Sequence, residues 1–483
     1  MKFIRTALLT SLVATLASAS PVGAANDNPT WQAAQTVRLP AGATELSQGY
    51  LPTLSCPSAG NCVAAGAVAD ASSNLQGLVL TENAGVWGAP QQLTPPVDAG
   101  PNPYMTIYSL SCVTIASCAA VGSYQDSNGN VQSFVANETT GTWSTALKVT
   151  LPANALGSGQ VSNVKTVSCA SAGNCSAAGS YFDNNTSYPR TVVFTVVESA
   201  GNWSRAQALA MPGDANFNPF ASASQITCHG AKNCDAVGSY IDTNGTARGL
   251  LISQVNGRWT THALTLPGNA NAYPQSSLSE VTCVSSGNCV AIGTYADTNG
   301  YLQGLIATEA RGVWGRAQTM VMPTNAAASP HVFFYGYNGV SCSSVGNCAA
   351  GGQYRDRSNN YQGFLINETT GAWQPATQLV LPSGAQSGGR NGGVVAVSCL
   401  SSSACSAGAA YLDGAGNYQA LVVNEVGGSW LAGKKVTLPA GATTVGVAGG
   451  VYGLICHPSG PCTATGSYLD PTGTYQGFTV SST

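Results

Sequence analysis

Short apolar runs with imperfect two-residue alternation recur along the whole chain, separated by turns rich in Gly, Asn and Asp. Runs such as "CVAIGTY" at 289–295 and "YQGFLINE" at 361–368 are typical of strands that are covered on both faces. Glycine and asparagine between the runs supply the backbone angles that tight hairpins need. Helical periodicity is nearly absent, so the pattern predicts an all-β fold.

The apolar runs belong to eight copies of one repeat. Each copy contains two cysteines with five residues between them, and successive copies begin 55 to 59 residues apart. An aspartate lies fourteen positions after each first cysteine, and a tyrosine precedes it by two in seven copies, Val68 being the exception. A fixed period of this length indicates a repeat architecture. The cysteine pairs are Cys56/Cys62, Cys112/Cys118, Cys169/Cys175, Cys228/Cys234, Cys283/Cys289, Cys342/Cys348, Cys399/Cys405 and Cys456/Cys462.

Each repeat predicts four strands. The first ends at the leading cysteine, the second begins at the other cysteine, and the third follows the aspartate turn. The fourth begins at a tryptophan, as in "WQPATQLVLP" at 373–382. Eight four-stranded units in series predict a single eight-bladed β-propeller over residues 26–483.

The tryptophans predict how the ring closes. The last repeat ends at "YQGFTVSST" without a fourth strand, whereas "WQAAQTVRLP" at 31–40 precedes the first cysteine pair and matches a fourth strand. We therefore expect residues 30–40 to complete the last blade. Closure of this kind removes exposed sheet edges.

The cysteine spacing predicts eight local disulfides. Five intervening residues in extended conformation would place the two Cα atoms about 20 Å apart. A disulfide needs about 4.4–6.8 Å, so the chain must reverse between each pair. Zinc sites have closer cysteine spacings and draw ligands from elsewhere, so metal binding by these cysteines is the weaker alternative.

The N-terminus predicts export. Lys2 and Arg5 precede the apolar stretch 7–16, which is too short to span a bilayer, and small residues follow. We interpret residues 1–25 as a secretory signal peptide and expect a soluble extracellular protein, with association to the cell wall left open. No later stretch predicts a membrane span, and export permits disulfides.

The chain resembles secreted bacterial β-propeller proteins whose blades carry the motif Ser-Cys-x5-Cys-x-Ala-x-Gly. The resemblance covers about residues 28–483 and implies the architecture, not an activity. The Asp-x-x-Gly turns are also loosely similar to the Asp-box of sialidase-like propellers. They depart from it because the tryptophan lies in a different turn and a tyrosine usually replaces the Ser or Thr before the aspartate. No sialidase activity follows.

Charge excludes several functions. Only 8% of residues are charged, against roughly 25% in average globular proteins, and the net charge is -3. We therefore expect no nucleic-acid partner. The eight repeat aspartates are expected to cap their own turns. Calcium is the alternative, because "DSNGN" at 126–130 echoes a calcium loop, but the remaining acidic ligands are missing. We expect no metal and no cofactor.

Candidate catalytic groups are few. A glycosidase needs two carboxylates that face one cavity. Glu45, Asp98, Asp214 and Glu280 lie in or near the linkers between repeats, but nothing in the sequence selects a pair. No Ser-His-Asp spacing is present, and paired cysteines leave no thiol nucleophile. An extracellular polysaccharide hydrolase or lyase is thus the alternative to a binding protein, and a structural cell-surface component is a second alternative.

The linkers vary while the repeat frame does not, and variable loops on a rigid scaffold are the usual place for recognition. They should share one face with the aspartate turns. Their aromatic residues predict platforms for a glycan or protein ligand of a monomeric protein, although such rings can also pack under their own loops. The candidates are Phe333, Phe334, Tyr335 and Tyr337, followed by Tyr104, Tyr108, Phe217, Phe220 and Tyr273.

Overall fold

The regular structure of the chain consists of β-strands. A computed structural model describes residues 29–40, 43–46, 51–159, 161–184, 189–336, 338–386, 392–443, 449–458 and 460–483. These residues form 39 strands in eight antiparallel sheets and contain no helix. The prediction of an all-β, eight-bladed propeller is therefore confirmed. The predicted signal peptide lies outside the described residues.

The first strand of each blade, in the order of blades 1 to 8, contains the leading cysteine. These strands are β3 (Thr53–Ser58), β8 (Thr106–Thr114), β13 (Ser162–Ser171), β18 (Ser222–Gly230), β22 (Ser277–Ser285), β27 (Val340–Ser344), β32 (Val394–Ser401) and β37 (Gly449–Cys456). Each contacts the first strands of both neighbouring blades, and β3 contacts β37. The first strands therefore form a closed ring around the axis of the propeller.

The second strand begins at or beside the other cysteine and pairs with the first. These strands are β4 (Asn61–Asp70), β9 (Ser117–Gln125), β14 (Asn174–Asp183), β19 (Asn233–Ile241), β23 (Asn288–Ala296), β28 (Asn347–Arg355), β33 (Ala404–Leu412) and β38 (Cys462–Leu469). Third strands follow the aspartate turns. They are β5 (Leu75–Asn83), β10 (Val131–Thr139), β15 (Arg190–Ser199), β20 (Ala247–Val255), β24 (Leu302–Ala310), β29 (Tyr361–Thr369), β34 (Tyr418–Val426) and β39 (Tyr475–Ser481).

The outer strand is continuous only in blade 4, as β21 (Arg258–Ala263). Six blades have two short pieces instead: β6 (Val86–Trp87) and β7 (Gln91–Gln92), β11 (Thr142–Trp143) and β12 (Leu147–Lys148), β16 (Asn202–Trp203) and β17 (Gln207–Ala208), β25 (Val313–Trp314) and β26 (Gln318–Thr319), β30 (Ala372–Trp373) and β31 (Thr377–Gln378), β35 (Ser429–Trp430) and β36 (Lys434–Lys435). In five of these blades the residue between the pieces donates its N–H to the preceding blade, as Ala146 N does to Thr94 O at 2.9 Å. In blade 1 the corresponding residue is Pro90, which has no N–H.

The N-terminal segment supplies the outer strand of blade 8. Strand β1 (Gln35–Thr36) pairs with β39, and Trp31 forms a bridge with Ser482. Ala34 N donates to Thr437 O of blade 7, as the corresponding residue of other blades does with its own preceding blade. A further short strand, β2 (Ala43–Leu46), pairs with β4. The expected closure of the ring is thus present.

Two features of the repeat hold neighbouring blades together. Eight apolar clusters form the core, and the cluster that contains Val79 of blade 1 also contains Phe134 of blade 2. The serine before the first cysteine accepts a hydrogen bond from the cysteine N–H of the next blade, as Ser55 Oγ does from Cys112 N at 3.0 Å. Ser111, Ser168, Ser341 and Ser398 do the same. The Ser-Cys motif therefore joins blades around the axis.

All eight predicted disulfides are present, each between the two cysteines of one repeat, with Cα atoms 3.9–4.0 Å apart. This distance is slightly shorter than the expected 4.4–6.8 Å, because the two cysteines lie directly opposite each other in the strand ladder, as Cys169 and Cys175 do. Eight disulfides are consistent with an extracellular protein. The described residues contain no helix with the length and hydrophobicity that a membrane span requires.

In six of the eight pairs the two cysteines differ in burial. The second cysteine of every pair is at most 6% exposed and belongs to the apolar core between blades. These buried cysteines are Cys62, Cys118, Cys175, Cys234, Cys289, Cys348, Cys405 and Cys462. They face the core because the second strand is covered by neighbouring strands on both sides and by the adjacent blades. Their role is therefore structural, and they are not available to a ligand at the surface.

Candidate functional site

The linkers and the aspartate turns share one face of the ring, which we call the linker face. In six blades, a linker alanine forms a bridge with the repeat aspartate of the next blade, as Ala99 does with Asp126 and Ala270 with Asp297. The backbone of the same linkers also bonds to these turns, and Ser127 N donates to Asp98 O at 2.8 Å. The expectation that both features lie on one face is confirmed.

The repeat aspartates cap their turns. In blade 7, Asp413 Oδ1 accepts from the N–H groups of Ala415 and Asn417, each at 3.0 Å, and Oδ2 accepts from Gln419 Nε2 at 2.7 Å. These bonds, led by the one from the Asn417 N–H, lower the pKa of Asp413. In blade 3, Arg190 takes the role of this glutamine as a donor and binds both oxygens of Asp183. The carboxylate oxygens are thus occupied by donors of the protein, which supports the capping interpretation over calcium.

In five blades the repeat tyrosine holds the linker. Tyr124 Oη donates to Asp98 Oδ1, and Tyr240 Oη donates to Asp214 Oδ1, both at 2.6 Å. Asp98 also accepts from Lys148 Nζ at 2.9 Å. Burial alone would raise the pKa of Asp98, but the bonds from Tyr124 and Lys148 outweigh it and lower the pKa. Both linker aspartates therefore have structural partners.

The described carboxylates of this face do not form a catalytic pair. Asp98 and Asp126 both lie within 4.0 Å of Lys148 Nζ, but the pKa of each is lowered, so neither is suited to donate a proton. Glu280 is fully buried, and its carboxylate accepts from the N–H groups of Gly336 and Gly339. The side chain of Glu45 lies outside the described residues.

A buried cluster of Asp235, Cys283 and Cys289 has the composition of a metal site. The two cysteines form a disulfide, so their sulfurs are not thiolates. The cluster cannot hold a metal in this state, and Asp235 remains a buried carboxyl whose pKa is raised by burial.

Proline turns expose aromatic side chains on the linker face. The residue after the proline has a left-handed backbone in four linkers, including Tyr104 at φ 43° and Phe220 at φ 41°. The proline carbonyl accepts from the end of the second strand, as Pro219 O does from Ile241 N at 2.7 Å. The backbone of the turn is thus bonded to the end of the second strand, and the side chains of Tyr104 and Phe220 remain in solvent.

Five of the candidate aromatic residues are exposed. The exposed fractions are 44% for Tyr104, 60% for Phe217, 63% for Phe220, 62% for Tyr273 and 53% for Phe333. Tyr301, which the sequence analysis missed, is 39% exposed in the aspartate turn of blade 5. The sequence could have identified it. In "DTNGY" at 297–301 the fourth residue after the repeat aspartate is aromatic, whereas the other repeats have Asn, Thr or Ser at this position.

The exposed rings concentrate on three adjacent blades. Phe217 and Phe220 precede blade 4, Tyr273 precedes blade 5, Tyr301 lies in the aspartate turn of blade 5, and Phe333 precedes blade 6. We call these five residues the aromatic arc. The Arg190 guanidinium lies 5.4 Å from the Phe217 ring centroid and is itself held by Asp183, so this ring has a fixed support.

Four candidates require correction or stay untested. Phe334 is 6% exposed and packs edge-on against Phe364 in the core, so it is not a surface platform. Tyr335 is half-buried against Phe333, and burial raises its pKa to about 12. Tyr108 belongs to the innermost strand β8, not to a linker, and its hydroxyl is bonded to Ser123 Oγ at 2.8 Å. Tyr337 lies outside the described residues.

No protein-family model and no curated protein sequence matches the chain. Similar solved structures include a fucose-specific lectin from Aleuria aurantia, with 11% identity and a TM-score of 0.33, covering 69% of this chain and 97% of the lectin. A polysaccharide lyase, an ulvan lyase, has 11% identity and a TM-score of 0.44, covering 74% and 89%. A sialidase from Trypanosoma rangeli has 8% identity and a TM-score of 0.38, covering 81% and 55%. At these identities the similarity concerns the fold alone.

Proposed function

We propose that this protein is a secreted glycan-binding protein of the blade-repeat type, and that the aromatic arc on the linker face is its binding surface. The observation that carries the proposal is the exposure of Phe217, Phe220, Tyr273, Tyr301 and Phe333 on adjacent blades. In a protein whose described core buries most large rings, five exposed rings on one face form a surface that water solvates poorly.

The chemistry of this surface fits a sugar. Aromatic rings cover the apolar faces of pyranoses, and neighbouring amides and hydroxyls satisfy the sugar hydroxyl groups. The linker into blade 4 offers Asn216 and Asn218, whose oxygens each bond to backbone N–H groups and are held in place. The propeller holds these aromatic and amide side chains on short turns whose backbone is restricted by proline. Binding of a ligand to them therefore costs little conformational entropy.

Binding is favoured over hydrolysis because the described carboxylates near the arc act as acceptors for protein donors. Asp214 accepts from Tyr240, and Asp297 accepts from Gln303 and two backbone N–H groups. A glycosidase needs one carboxyl that keeps a proton near neutral pH while facing its substrate. The eight disulfides support secretion.

A glycan array followed by calorimetry tests the proposal. The double variant Phe217→Ala/Phe220→Ala and the double variant Tyr273→Ala/Tyr301→Ala should each weaken binding of the best array ligand by about 1–3 kcal/mol. Their melting temperatures should stay near the wild-type value, because these side chains are exposed.

The matched control is Val86→Ala/Val313→Ala, which removes two exposed apolar side chains from the turns at the opposite face. This variant should bind like the wild type. Equal binding by the arc variants and the control would reject the aromatic arc, and an empty array would reject glycan binding.

A further inference from the structure

The innermost strands share an irregularity close to the linker face. In six of them, the residue four positions before the first cysteine is a β-bulge that stands outside the pairing ladder. The bulge residues are Tyr108, Lys165, Ser224, Ser279, Val395 and Tyr452. Because the first strands form the axial ring and the linkers enter at this end, the bulge residues surround the linker-face mouth of the axis.

Lys165 is the one lysine or arginine on the described first strands, and its charge has no counterion there. Its Nζ lies 4.4 Å from the centroid of the Tyr108 ring in the preceding blade. The four ion pairs of the described residues do not include it. Glu280, the one acidic residue on the described first strands, belongs to blade 5 and is enclosed by backbone N–H groups of blade 6.

The Lys165 ammonium lies at the surface without an opposite charge beside it among the described residues. The Lys165 side chain reaches solvent, yet the surrounding protein desolvates the ammonium and lowers its pKa. Only 8% of the residues of the chain are charged, so a positive charge on an axial strand is a rare feature of this sequence. The Tyr108 ring stabilises the ammonium from one side, which leaves its remaining hydrogen-bond donors for another partner.

A loop of blade 6 covers part of the mouth. The carbonyl of Asn338 accepts from Val397 N of blade 7 at 2.8 Å, and its Oδ1 accepts from Gln225 Nε2 of blade 4 at 3.0 Å. The Tyr335 ring lies against Gly393 of blade 7, where an added Cβ would be 2.6 Å from it. A loop that contacts blades 4 and 7 lies across the axis on that side, whereas Lys165 and Tyr108 belong to blades 3 and 2.

We propose that the linker-face mouth of the axis binds a carboxylate of an acidic glycan, with the Lys165 ammonium as its counterion and Tyr108 as the support beneath that ammonium. The inference rests on the proposed function and specifies its ligand class: a chain of hexuronic acids that extends from the axis toward the aromatic arc. The ion pair forms without any covalent step and is weakened by salt.

The test compares an oligogalacturonate with its methyl ester, which has the same ring structure and no charge. Wild-type protein should bind the acid about tenfold more tightly than the ester. Lys165→Gln should remove this preference by weakening only acid binding, and Lys434→Gln, which removes a positive charge from the outer strand of blade 7, should keep it.

The outcomes separate the two proposals. Three results would reject the axial site. Lys165→Gln could keep the preference for the acid, it could weaken binding of the acid and the ester equally, or the wild type could show no preference. The proposed function is retained after such a result if the arc variants weaken the binding of both ligands. If the wild type binds neither ligand and no array glycan, both the proposed function and the axial site are rejected.

A measurement on the unaltered sequence guards against a variant that does not fold. In wild-type protein with ¹³C-dimethylated lysines, the oligogalacturonate should shift one resonance that titrates below the others, and the ester should leave it in place. Absence of that shift contradicts the assignment of Lys165.

Discussion

At the residue scale, one asparagine determines whether a tryptophan of the next blade has a hydrogen-bond partner. Asn137 Oδ1 accepts from Trp203 Nε1 at 2.9 Å, and its Nδ2 donates to Glu198 Oε1 at 2.5 Å. Asn367 does the same for Trp430 and Glu425 of the following blade. One amide thus satisfies two buried groups on a neighbouring blade.

Blade 5 has a threonine in place of this asparagine. Thr308 is too short to bridge the interface, and Trp373 Nε1 and Glu368 Oε2 of blade 6 are buried without a hydrogen-bond partner. Buried polar atoms without partners cost stability, so the chain contains a natural comparison between a satisfied and an unsatisfied interface.

We predict opposite effects for reciprocal substitutions. Asn137→Thr should lower the free energy of unfolding by about 1–3 kcal/mol, because it leaves Trp203 and Glu198 without this partner. Thr308→Asn should raise the free energy of unfolding, since it supplies Trp373 with an acceptor. Urea unfolding followed by tryptophan fluorescence measures both, and effects of the same sign would contradict the interpretation.

At the element scale, the glycine of the Cys-x-Ala-x-Gly motif permits the close approach of the first and second strands at the bulge. A Cβ added at Gly122 would overlap the carbonyl oxygen of Thr106, and one added at Gly238 would overlap that of Ser222. Blade 7 has Ala409 at this position, and there the close approach is made by Gly392 on the opposite side. Each of the six blades with a described bulge thus has a glycine there, but not always on the same strand.

Gly122→Ala should therefore destabilise the protein by about 1–3 kcal/mol or more, because both the carbonyl and the Phe134 ring must move. Gly268→Ala is the control, since its added Cβ would meet no atom within 4 Å and its backbone is not left-handed. Thermal unfolding by circular dichroism compares them. Equal melting temperatures for the two variants would show that the strands can separate at the bulge without loss.

At the scale of the whole molecule, buried glutamates repeat around the ring. The six that precede the Gly-x-Trp turns are Glu82, Glu138, Glu198, Glu309, Glu368 and Glu425, and all are buried. Burial raises the pKa of each, to about 7 for Glu138, Glu309 and Glu425, and nearby Asp235 adds to the effect at Glu309. Blade 4 has the neutral Gln254 in this position.

These pKa values predict that stability falls between about pH 4.5 and pH 7. The folded protein binds protons more tightly than the unfolded chain, whose glutamates titrate at 4.5, so raising the pH through this window favours unfolding. Five repeat aspartates act oppositely, because their lowered pKa values make stability fall only below about pH 4. They are Asp70, Asp126, Asp356, Asp413 and Asp470. The melting temperature should be higher at pH 5 than at pH 8.

The variant Glu138→Gln/Glu309→Gln/Glu425→Gln tests the origin of this dependence. Since Gln254 shows that glutamine is accommodated in the frame, the variant should fold and show a smaller difference in melting temperature between pH 5 and pH 8. An unchanged difference would mean that other groups govern the pH dependence.

Closure of the ring is the second property of the whole molecule. Strand β1 and Trp31 cover the edge of β39, and Trp31 Nε1 donates to Asn424 Oδ1 of blade 7 at 3.3 Å. Deleting residues 29–40 should lower the melting temperature strongly and cause association through the freed edge. Light scattering and thermal unfolding check this, and a stable monomeric deletion variant would exclude closure as the source of stability.

The sequence by itself determined the fold, the disulfides and the closure, because these depend on features that repeat. Five residues between two cysteines force a hairpin, and a tryptophan strand at 31–40 without its own repeat fits only the blade that lacks one. The exposure of Tyr104 and Phe220 has a local origin, since each directly follows a proline and has a left-handed backbone.

The tertiary structure alone decided which aromatic residues and charges share a site. Phe333 and Phe334 are neighbours in sequence, yet one is exposed and the other packs into the core, because side chains of an extended segment alternate between its two sides. Lys165 and Tyr108 are 57 residues apart and look unrelated in the sequence. They meet because equivalent bulges on adjacent first strands bring side chains together around the axis, and this contact depends on the packing of neighbouring blades, not on a local pattern.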